Sequence, residues 1–290
     1  MFSNYLIHLG IIIMIFSILG MSLNLALGYT GLVNLGHIAF YGIGAYTSAI
    51  LVMHQVPFLL ALLVAAAFSA VAGFVLTFIT RKLRGDYLAL VTLGFTFMAF
   101  SVFINWTEVT RGPIGIPGIS RPDIFGFVIL GNVSYFFFTL VVLLLVGGFL
   151  YLLTRSRYGR LLEAVRDDSM GLEVFGKNIF RLKYQSMMVS AAIAGIAGSL
   201  YAHYISYIDP STFFLNDMVV ILTIVIVGGL ASIKGSFFAA FIIILIPELL
   251  RFVSLPPSMI GQARQILYAV ALIGILMYRP KGLFGKVDLE

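Results

Sequence analysis

The residue types that carry most enzyme chemistry are scarce in this 290-residue chain and form no familiar catalytic pattern. It contains no cysteine, which excludes disulfides, thiolate metal sites and a cysteine nucleophile. The four histidines, His8, His37, His54 and His203, form no HExxH pair, and no GxSxG nucleophile elbow occurs. The sequence therefore predicts neither an enzyme nor a metal site.

The segment most similar to a phosphate-binding loop is residues 229–236, GLASIKGS. It lacks the glycine before Lys234 that the GxxxxGK[ST] pattern requires, and it lies between two apolar stretches rather than after a strand. Lys234 is better explained as a turn residue. The sequence gives no reason to expect nucleotide binding by this chain itself.

Charged residues are concentrated in one segment. Residues 155–183 hold 11 of the chain's 30 charged residues, seven basic and four acidic. Within it Leu161, Leu162, Val165, Leu172 and Phe175 fall near helical spacing, with charges on the complementary faces. Glycines at 159, 171 and 176 are natural helix stops. The segment predicts a short amphipathic helix at a membrane surface.

Three interpretations of this amphipathic helix compete: a solvated loop, a helix lying on lipid, and a docking element for a partner protein. Basic residues alone would favour lipid. The interleaved acidic residues Glu163, Asp167, Asp168 and Glu173 would be repelled by anionic headgroups. The mixture of charges therefore favours docking onto a partner.

A second segment, residues 24–46, places polar side chains inside an apolar run. Asn24, Asn34 and His37 each cost free energy there unless they meet a partner, line a wet cavity or sit at a helix break. Hydrogen bonding between helices is the plainer explanation, and lining a substrate path is the alternative. Asp217 and Glu248 lie near the ends of apolar stretches, where exposure to water explains them.

The elements that must hold these segments are membrane helices. Hydrophobic residues make up 61% of the chain and charged residues only 10%, against about 25% charged in an ordinary soluble domain. The first 80 positions contain no charged residue. These values exclude a soluble enzyme, a disordered chain and a nucleic-acid-binding module. The continuous apolar runs also exclude a membrane barrel, whose strands alternate.

We predict an all-α polytopic membrane protein with about nine transmembrane helices, within a range of eight to ten. Glycines crowd the beginning of the second span, and they favour a break into a re-entrant element as the alternative to a continuous helix. Small residues at 65, 69 and 73 and throughout 190–199 predict close helix packing. The predicted spans are residues 5–27, 36–54, 57–80, 87–106, 134–154, 185–205, 217–233, 236–252 and 262–278.

Lysine and arginine collect in three places, residues 81–84, 155–183 and 279–286. The positive-inside rule assigns all three to the cytoplasm. The loop 107–133 has no net charge and is predicted to be external. The expected organisation is one transmembrane domain, residues 1–290, with a cytoplasmic loop at 156–184.

Motifs along nearly the whole chain resemble one family. The segments NLALGYTGLVNLGHIAFYGIGAY, RGDYLALVTLGF, GRLLEAVRDDSMGLEVFG, SAAIAGIAGSLYA and YRPKGLFG occur in this order. They are similar to the permease subunits of bacterial branched-chain amino-acid ABC importers of the LivM type. The resemblance implies that a periplasmic or lipid-anchored binding protein delivers the substrate. Two homologous permease subunits would form the path, and two cytoplasmic ATPase subunits would drive transport.

The resemblance also implies roles for particular residues. The loop 159–176 would be a coupling helix that seats in a groove of the ATPase. ATP would be used by the partner subunits, and this chain would bind no cofactor. The family's characteristic coupling positions fall on Arg160, Glu163, Ala164, Arg166, Asp167, Asp168, Gly171 and Gly176.

The candidate residues for a substrate path or gate come from the glycine-rich segment. A path without charges would let a zwitterionic amino acid pass without trapping it, leaving selectivity to the binding protein. The implied location is the bacterial cytoplasmic (inner) membrane, with membrane lipid and no nucleic acid as partners. Alternatives are a related permease for urea, short amides or other amino acids, and a stand-alone secondary transporter. The candidate path or gate residues are Asn24, Gly28, Gly31, Asn34, His37 and Tyr41.

Overall fold

The computed structural model describes residues 2–83, 85–124, 127–248, 257–279 and 281–285. Residues 249–252 of the eighth predicted span, and Arg84 and Lys286 of the basic clusters, lie outside these ranges. The helices in the described part are α1 (Phe2–Asn24), α2 (His37–Met53), α3 (Phe58–Ile79), α4 (Gly85–Asn105), α5 (Thr107–Thr110), α6 (Asn132–Arg155), α7 (Arg157–Asp167), α8 (Ser169–Val174), α9 (Ile179–Ile205), α10 (Leu215–Gly228), α11 (Ile233–Leu245) and α12 (Pro257–Tyr278).

The prediction of an all-α polytopic membrane fold is confirmed. Each of the nine predicted spans overlaps one helix of 13 residues or more within the described ranges. Among the residues that the structure describes, five helices are long and apolar enough to cross a membrane: α1 with the π-helical turn Leu25–Tyr29 that extends it, α3, α4, α6 and α9. The apolar helices α2 and α10 are shorter.

The second predicted span is one unbroken helix, α2. α2 has 17 residues, which extend about 25 Å at 1.5 Å per residue, less than a bilayer core of about 30 Å. Most of its side chains are buried, so neighbouring helices surround it. Three of the five glycines in this region, Gly28, Gly31 and Gly36, precede the first residue of α2, and Gly31 has a φ of +70°.

The helices α2, α3 and α9 pack extensively on one another, and α1 packs against α6, α9, α10 and α11. In contrast to α2, helices α3, α4 and α6 each present an exposed apolar face, including Leu63, Leu90 and Leu144. An apolar exterior of this kind suits helices that face lipid.

The predicted small-residue stripes do pack on one another. Gly44 of α2 and Gly195 of α9 meet backbone to backbone, so that a Cβ on Gly44 would collide with the main chain of Gly195. On the neighbouring helix α3, a Cβ on Gly73 would lie 2.8 Å from Cβ of Ala191. A Cβ on Gly195 would also collide with Ser69. The prediction of close helix packing is confirmed.

Four two-residue strands organise the loops at one end of the bundle. β1 (Ile116–Pro117) pairs antiparallel with β4 (Tyr207–Ile208), which follows α9. β2 (Asp123–Ile124) and β3 (Phe127–Val128) form a second antiparallel pair. The β1–β4 pair attaches the loop 107–133 to the end of α9, whereas the β2–β3 pair lies within the loop.

Candidate functional site

The charged segment folds as two short helices, α7 and α8, instead of one. The break lies at Asp168, whose side-chain Oδ1 accepts a hydrogen bond of 2.9 Å from the Gly171 amide and so caps α8. Ser156 Oγ caps α7 in the same way, accepting from the Gly159 amide over 3.3 Å. An aspartate at a helix N-terminus favours a new helix start over continuation of the previous one.

The three glycines of this segment behave differently from one another. Gly176 follows α8 with a φ of +70°, so it ends the helix as predicted. Gly159 and Gly171 lie inside α7 and α8, and the prediction that they stop helices was wrong. Gly159 is required for a different reason, because a Cβ there would collide with the backbone of Thr154 at the end of α6.

α7 is amphipathic, as predicted. Leu162 and Val165 are buried against the bundle, while Arg160 and Asp167 are exposed. Burial raises the pKa of the Tyr158 hydroxyl on this helix to about 12, so the group stays neutral at physiological pH. Among the remaining predicted coupling residues, Glu163 and Ala164 are half-buried, and Asp168 is exposed.

The surface of α8 carries apolar side chains that face outward. Val174 is 87% exposed and Phe175, the next residue, is 82% exposed. Met170 is exposed on the same short helix. The sequence pattern grouped Phe175 with the buried face of a single helix, and this was wrong because the break at Asp168 changes the helical phase.

Arg166 joins the two segments that were singled out from the sequence. Its Nη1 donates a hydrogen bond of 2.6 Å to the carbonyl oxygen of Gly28, and its Nε lies 2.8 Å from Oδ1 of Asp167. A Cβ on Gly31 would lie 3.0 Å from Cγ of Arg166. The arginine side chain, 15% exposed, therefore lies over the turn that ends α1.

Asn24 joins the turn that ends α1 to the turn between α10 and α11. Its Nδ2 lies within hydrogen-bond distance of the Gly229 and Ser232 carbonyl oxygens, at 3.1 Å each, and of Ser236 Oγ, at 2.7 Å. Its Oδ1 accepts from the Ala231 amide over 3.0 Å. The side chain is completely buried. These contacts match hydrogen bonding between helices, the plainer explanation of this residue.

Asn34 and His37 are positioned at the start of α2. Asn34 Oδ1 accepts from the Gly36 amide over 3.0 Å, and its Nδ2 lies 3.4 Å from Sδ of Met187. His37 Nε2 is 2.8 Å from Ser22 Oγ of α1. Both side chains are buried. They connect the beginning of α2 to α9 and α1.

Tyr41 lies one turn deeper in α2 than His37. Its ring packs against Phe213 and Tyr201, with ring centroids 5.2 and 5.7 Å away. The side chain is 1% exposed, and its hydroxyl has no hydrogen-bond partner among the described residues. The structure thus gathers Asn24, Gly28 and Gly31 near Arg166, and places Tyr41 apart from them.

A polar cavity at the other end of the bundle was not predicted. It has a volume of about 280 Å³, and its lining includes Asp217, Glu248 and Arg264. Asp217 and Glu248 line this cavity and are half-buried, so exposure to water describes only part of their surroundings. The signal in the sequence was three charged residues inside apolar stretches, but only the packing of α10, α11 and α12 brings them together.

No group of three or more histidine, aspartate or glutamate side chains is arranged to hold a metal ion within the described ranges. The exposed Lys234 lies in the first turn of α11, beside Arg155 and Tyr29 in a small cavity. Among its described residues, the small cavity at Lys234 contains no arrangement of side chains typical of a catalytic site.

The chain is similar to known transport proteins over nearly its whole length. It is 34% identical to the high-affinity branched-chain amino acid transport system permease protein LivM of Salmonella typhimurium, with 98% of this chain and 71% of that protein aligned. It is 27% identical to the probable branched-chain amino acid transport permease protein LivM of Methanocaldococcus jannaschii, over 94% and 91% of the two chains. LivH, a permease protein of the corresponding Escherichia coli system, is 26% identical over 92% of each chain.

No solved structure matches the chain. A family model described as the permease component of the branched-chain amino acid transport system matches residues 5–279. The match, together with the apolar helices, identifies a multi-pass membrane protein that is a transport component and not an enzyme. The chain belongs to the family of permease components of branched-chain amino acid transport systems.

Proposed function

We propose that this chain is the membrane-spanning subunit of a binding-protein-dependent ABC importer for leucine, isoleucine and valine. Its relatives carry the name of branched-chain amino acid transport permeases, which supports this substrate class. Similarity to both LivM and LivH supports pairing with a second, homologous permease. The location is the bacterial cytoplasmic (inner) membrane.

The proposal depends above all on the contact between Arg166 and Gly28. α7 and α8 have one face against the bundle and another that presents charges and the apolar residues Val174 and Phe175 outward. A protein partner can bind such a mixed surface, whereas anionic lipid would repel its acidic residues. We assign this surface to the cytoplasmic ATPase subunits, which would use ATP. Arg166 then transmits their movement to the end of α1.

The connections beyond Arg166 extend into the bundle. Asn24 holds the end of α1 to the turn between α10 and α11, and His37 holds α2 to α1. Movement of α7 would therefore reach α1 and, through it, α2 and the turn between α10 and α11. In this mechanism ATP binding closes the ATPase pair, displaces α7 and α8, and changes the side to which the path opens.

The candidate gate residues lie at the helix ends that would move in this mechanism or on α2, which begins there. Gly31 allows the backbone to lie against Arg166, and Gly28 leaves room for the close contacts with Asn24 and Ala231. Asn34 and His37 mark the beginning of α2. Tyr41 lies farther along the same helix, with a buried hydroxyl available for a new hydrogen bond when the helices move. We assign these residues to transmission and gating.

A transport assay tests the proposal directly. Cells lacking this gene are compared with complemented cells for uptake of labelled leucine, urea and ribose. We expect complementation to restore leucine uptake alone, and a partner ATPase with an inactivated phosphate-binding lysine to abolish it. Restored urea uptake would assign the chain to a related permease instead. Undiminished uptake with the inactive ATPase would identify a stand-alone secondary transporter.

A further inference from the structure

The cavity of about 280 Å³ is formed by helices from both halves of the chain. Its polar lining includes Asp217 of α10, Glu248 after α11 and Arg264 of α12. Ile12 and Phe16 of α1 contribute apolar wall. Charged groups of both signs and an apolar surface therefore line one cavity.

The cavity lies at the end of the bundle opposite α7 and α8. α1 ends at the turn that Arg166 contacts, whereas His8, another lining residue, is in its second turn. Asp217 is in the first turn of α10, which begins where the chain returns from the far end of α9. With α7 and α8 bound to the ATPase, this cavity would open toward the side from which the binding protein delivers substrate.

The two carboxylates of the cavity differ in whether they have a hydrogen-bond partner. The Tyr5 hydroxyl donates a hydrogen bond to Glu248. Asp217 has no hydrogen-bonded or ion-paired partner among the residues that the structure describes. A half-buried carboxylate without a partner is costly in an apolar surrounding, and a cationic group of a ligand would offset that cost.

Arg264 supplies the opposite charge. Its guanidinium is a planar fork that binds carboxylates through two parallel hydrogen bonds. An α-amino acid carries an ammonium and a carboxylate on adjacent atoms, which matches a wall with both Asp217 and Arg264. The volume is below the range of about 300–1,000 Å³ typical of pockets for drug-sized ligands, so it suits a small metabolite.

We propose that this cavity is an intramembrane binding site for a zwitterionic aliphatic amino acid. Asp217 binds its ammonium group, Arg264 binds its carboxylate, and Ile12 and Phe16 contact its side chain. The inference rests on the proposed function. It also replaces the expectation of a charge-free path, because the permease then contributes to selectivity instead of leaving it wholly to the binding protein.

The test measures ligand binding to the purified permease–ATPase complex without binding protein, by saturation-transfer NMR. We expect leucine to bind the wild-type complex, and Asp217→Asn to raise its Kd about tenfold or more. Arg264→Gln, a change at an exposed residue that leaves the fold intact, should do the same. Asp86→Asn, at an exposed aspartate in the first turn of α4, is the matched control and should leave the Kd unchanged.

Two leucine analogues assign each charge to its partner. Isocaproate lacks the ammonium group, so its binding should not respond to Asp217→Asn. Isoamylamine lacks the carboxylate, so its binding should not respond to Arg264→Gln. Equal losses for leucine and both analogues in either variant would overturn the assignment, because a merely structural effect does not discriminate between ligands.

Transport by the complete wild-type system distinguishes this inference from the proposed function. Leucine uptake with an unchanged leucine Kd in both cavity variants overturns the cavity site and leaves the importer intact. Leucine uptake without detectable binding to the wild-type complex does the same. An absence of leucine uptake in the wild type overturns both.

Discussion

Arg166 in α7 donates a hydrogen bond of 2.6 Å to the carbonyl oxygen of Gly28, a residue 138 positions earlier in the chain. The carbonyl belongs to the π-helical turn Leu25–Tyr29 that extends α1. A turn of this kind leaves backbone groups outside the regular helical ladder. The guanidinium therefore forms a direct link between a surface helix and the end of a buried one.

Replacing Arg166 should uncouple transport from ATP hydrolysis. A hydrogen bond from a charged donor contributes about 1.5–3 kcal/mol, so Arg166→Ala should reduce leucine transported per ATP about tenfold or more. Arg166→Lys keeps the charge but lacks the fork that contacts Gly28 and Asp167 together, and it should recover only part of the coupling. Transport and ATPase rates are measured in proteoliposomes. Arg157→Ala, at an exposed position of the same helix, is the control, and an equal loss there would refute the specific role of Arg166.

The exposed end of α8 should be needed for binding the ATPase subunits. Phe175→Asp places a charge where the side chain is 82% exposed, so it should leave the permease folded but weaken the complex. Co-purification of the ATPase with tagged permease measures the loss, which we expect to be at least about fivefold. Leu130→Asp, at a 74% exposed position in the loop 107–133, should retain the ATPase fully. If Leu130→Asp alone disrupts co-purification, the assignment of sides is reversed.

Charge reversal on α7 tests the same surface independently. Glu163 is half-buried between the exposed Arg160 and the arginine at position 166, so Glu163→Lys adds a third positive charge to this face. We expect reduced uptake with unchanged amounts of folded permease in the membrane. Glu163→Gln, which removes the charge without reversing it, should have a smaller effect. Uptake at the wild-type level in the lysine variant would contradict the docking role.

Much of the fold could be predicted from composition and spacing, because a membrane allows few solutions. Apolar runs such as residues 57–80 have to become helices in lipid, and small residues at every fourth position have to become contacts. The structure of the candidate site was harder to predict from the sequence. The break at Asp168 depends on a single capping hydrogen bond, which helical periodicity does not reveal.

The tertiary contacts of the site depend on pairs far apart in the chain. Nothing in the local sequence indicates that Asn24 contacts Ala231, or that Asp217 and Arg264 line one cavity. A charged residue near the end of an apolar stretch has the same local pattern whether it faces water or a cavity. Only the positions of the neighbouring helices distinguish the two environments.

Asn24 should be important for stability. Asn24→Leu leaves the buried Gly229 carbonyl and Ala231 amide without their side-chain partner, and each lost bond of this type costs about 1–3 kcal/mol. We expect a clearly lower Tm in detergent. Size-exclusion chromatography after heating measures it. Asn105→Leu is the matched control, because the Asn105 side chain is exposed and bonds only to nearby Ser101 among the described residues. Equal Tm values for the two variants would contradict the structural role.

The backbone contact between α2 and α9 should not tolerate one added methyl group. Gly44→Ala places a Cβ against the main chain of Gly195, which has no flexible side chain to move away. The helices have to separate, so we expect reduced Tm and low yield of folded permease. Gly94→Ala, in α4, meets nothing within 4 Å and should be neutral or slightly stabilising. A neutral result for Gly44→Ala would show that the two helices are farther apart.

His203 should hold the loop 107–133 in place. Its Nδ1 lies 2.7 Å from the carbonyl oxygen of Ser120, and its Nε2 lies 2.8 Å from Ser48 Oγ, so one buried ring joins the loop to α2 and α9. His203→Phe keeps the ring volume but removes both contacts, and the loop should open more often. Trypsin cleavage after Arg111 in detergent should become about fivefold faster or more, because local opening limits cleavage. His54→Phe, at an exposed histidine after α2, should cleave at the wild-type rate, and equal acceleration in both variants would assign the effect to general destabilisation.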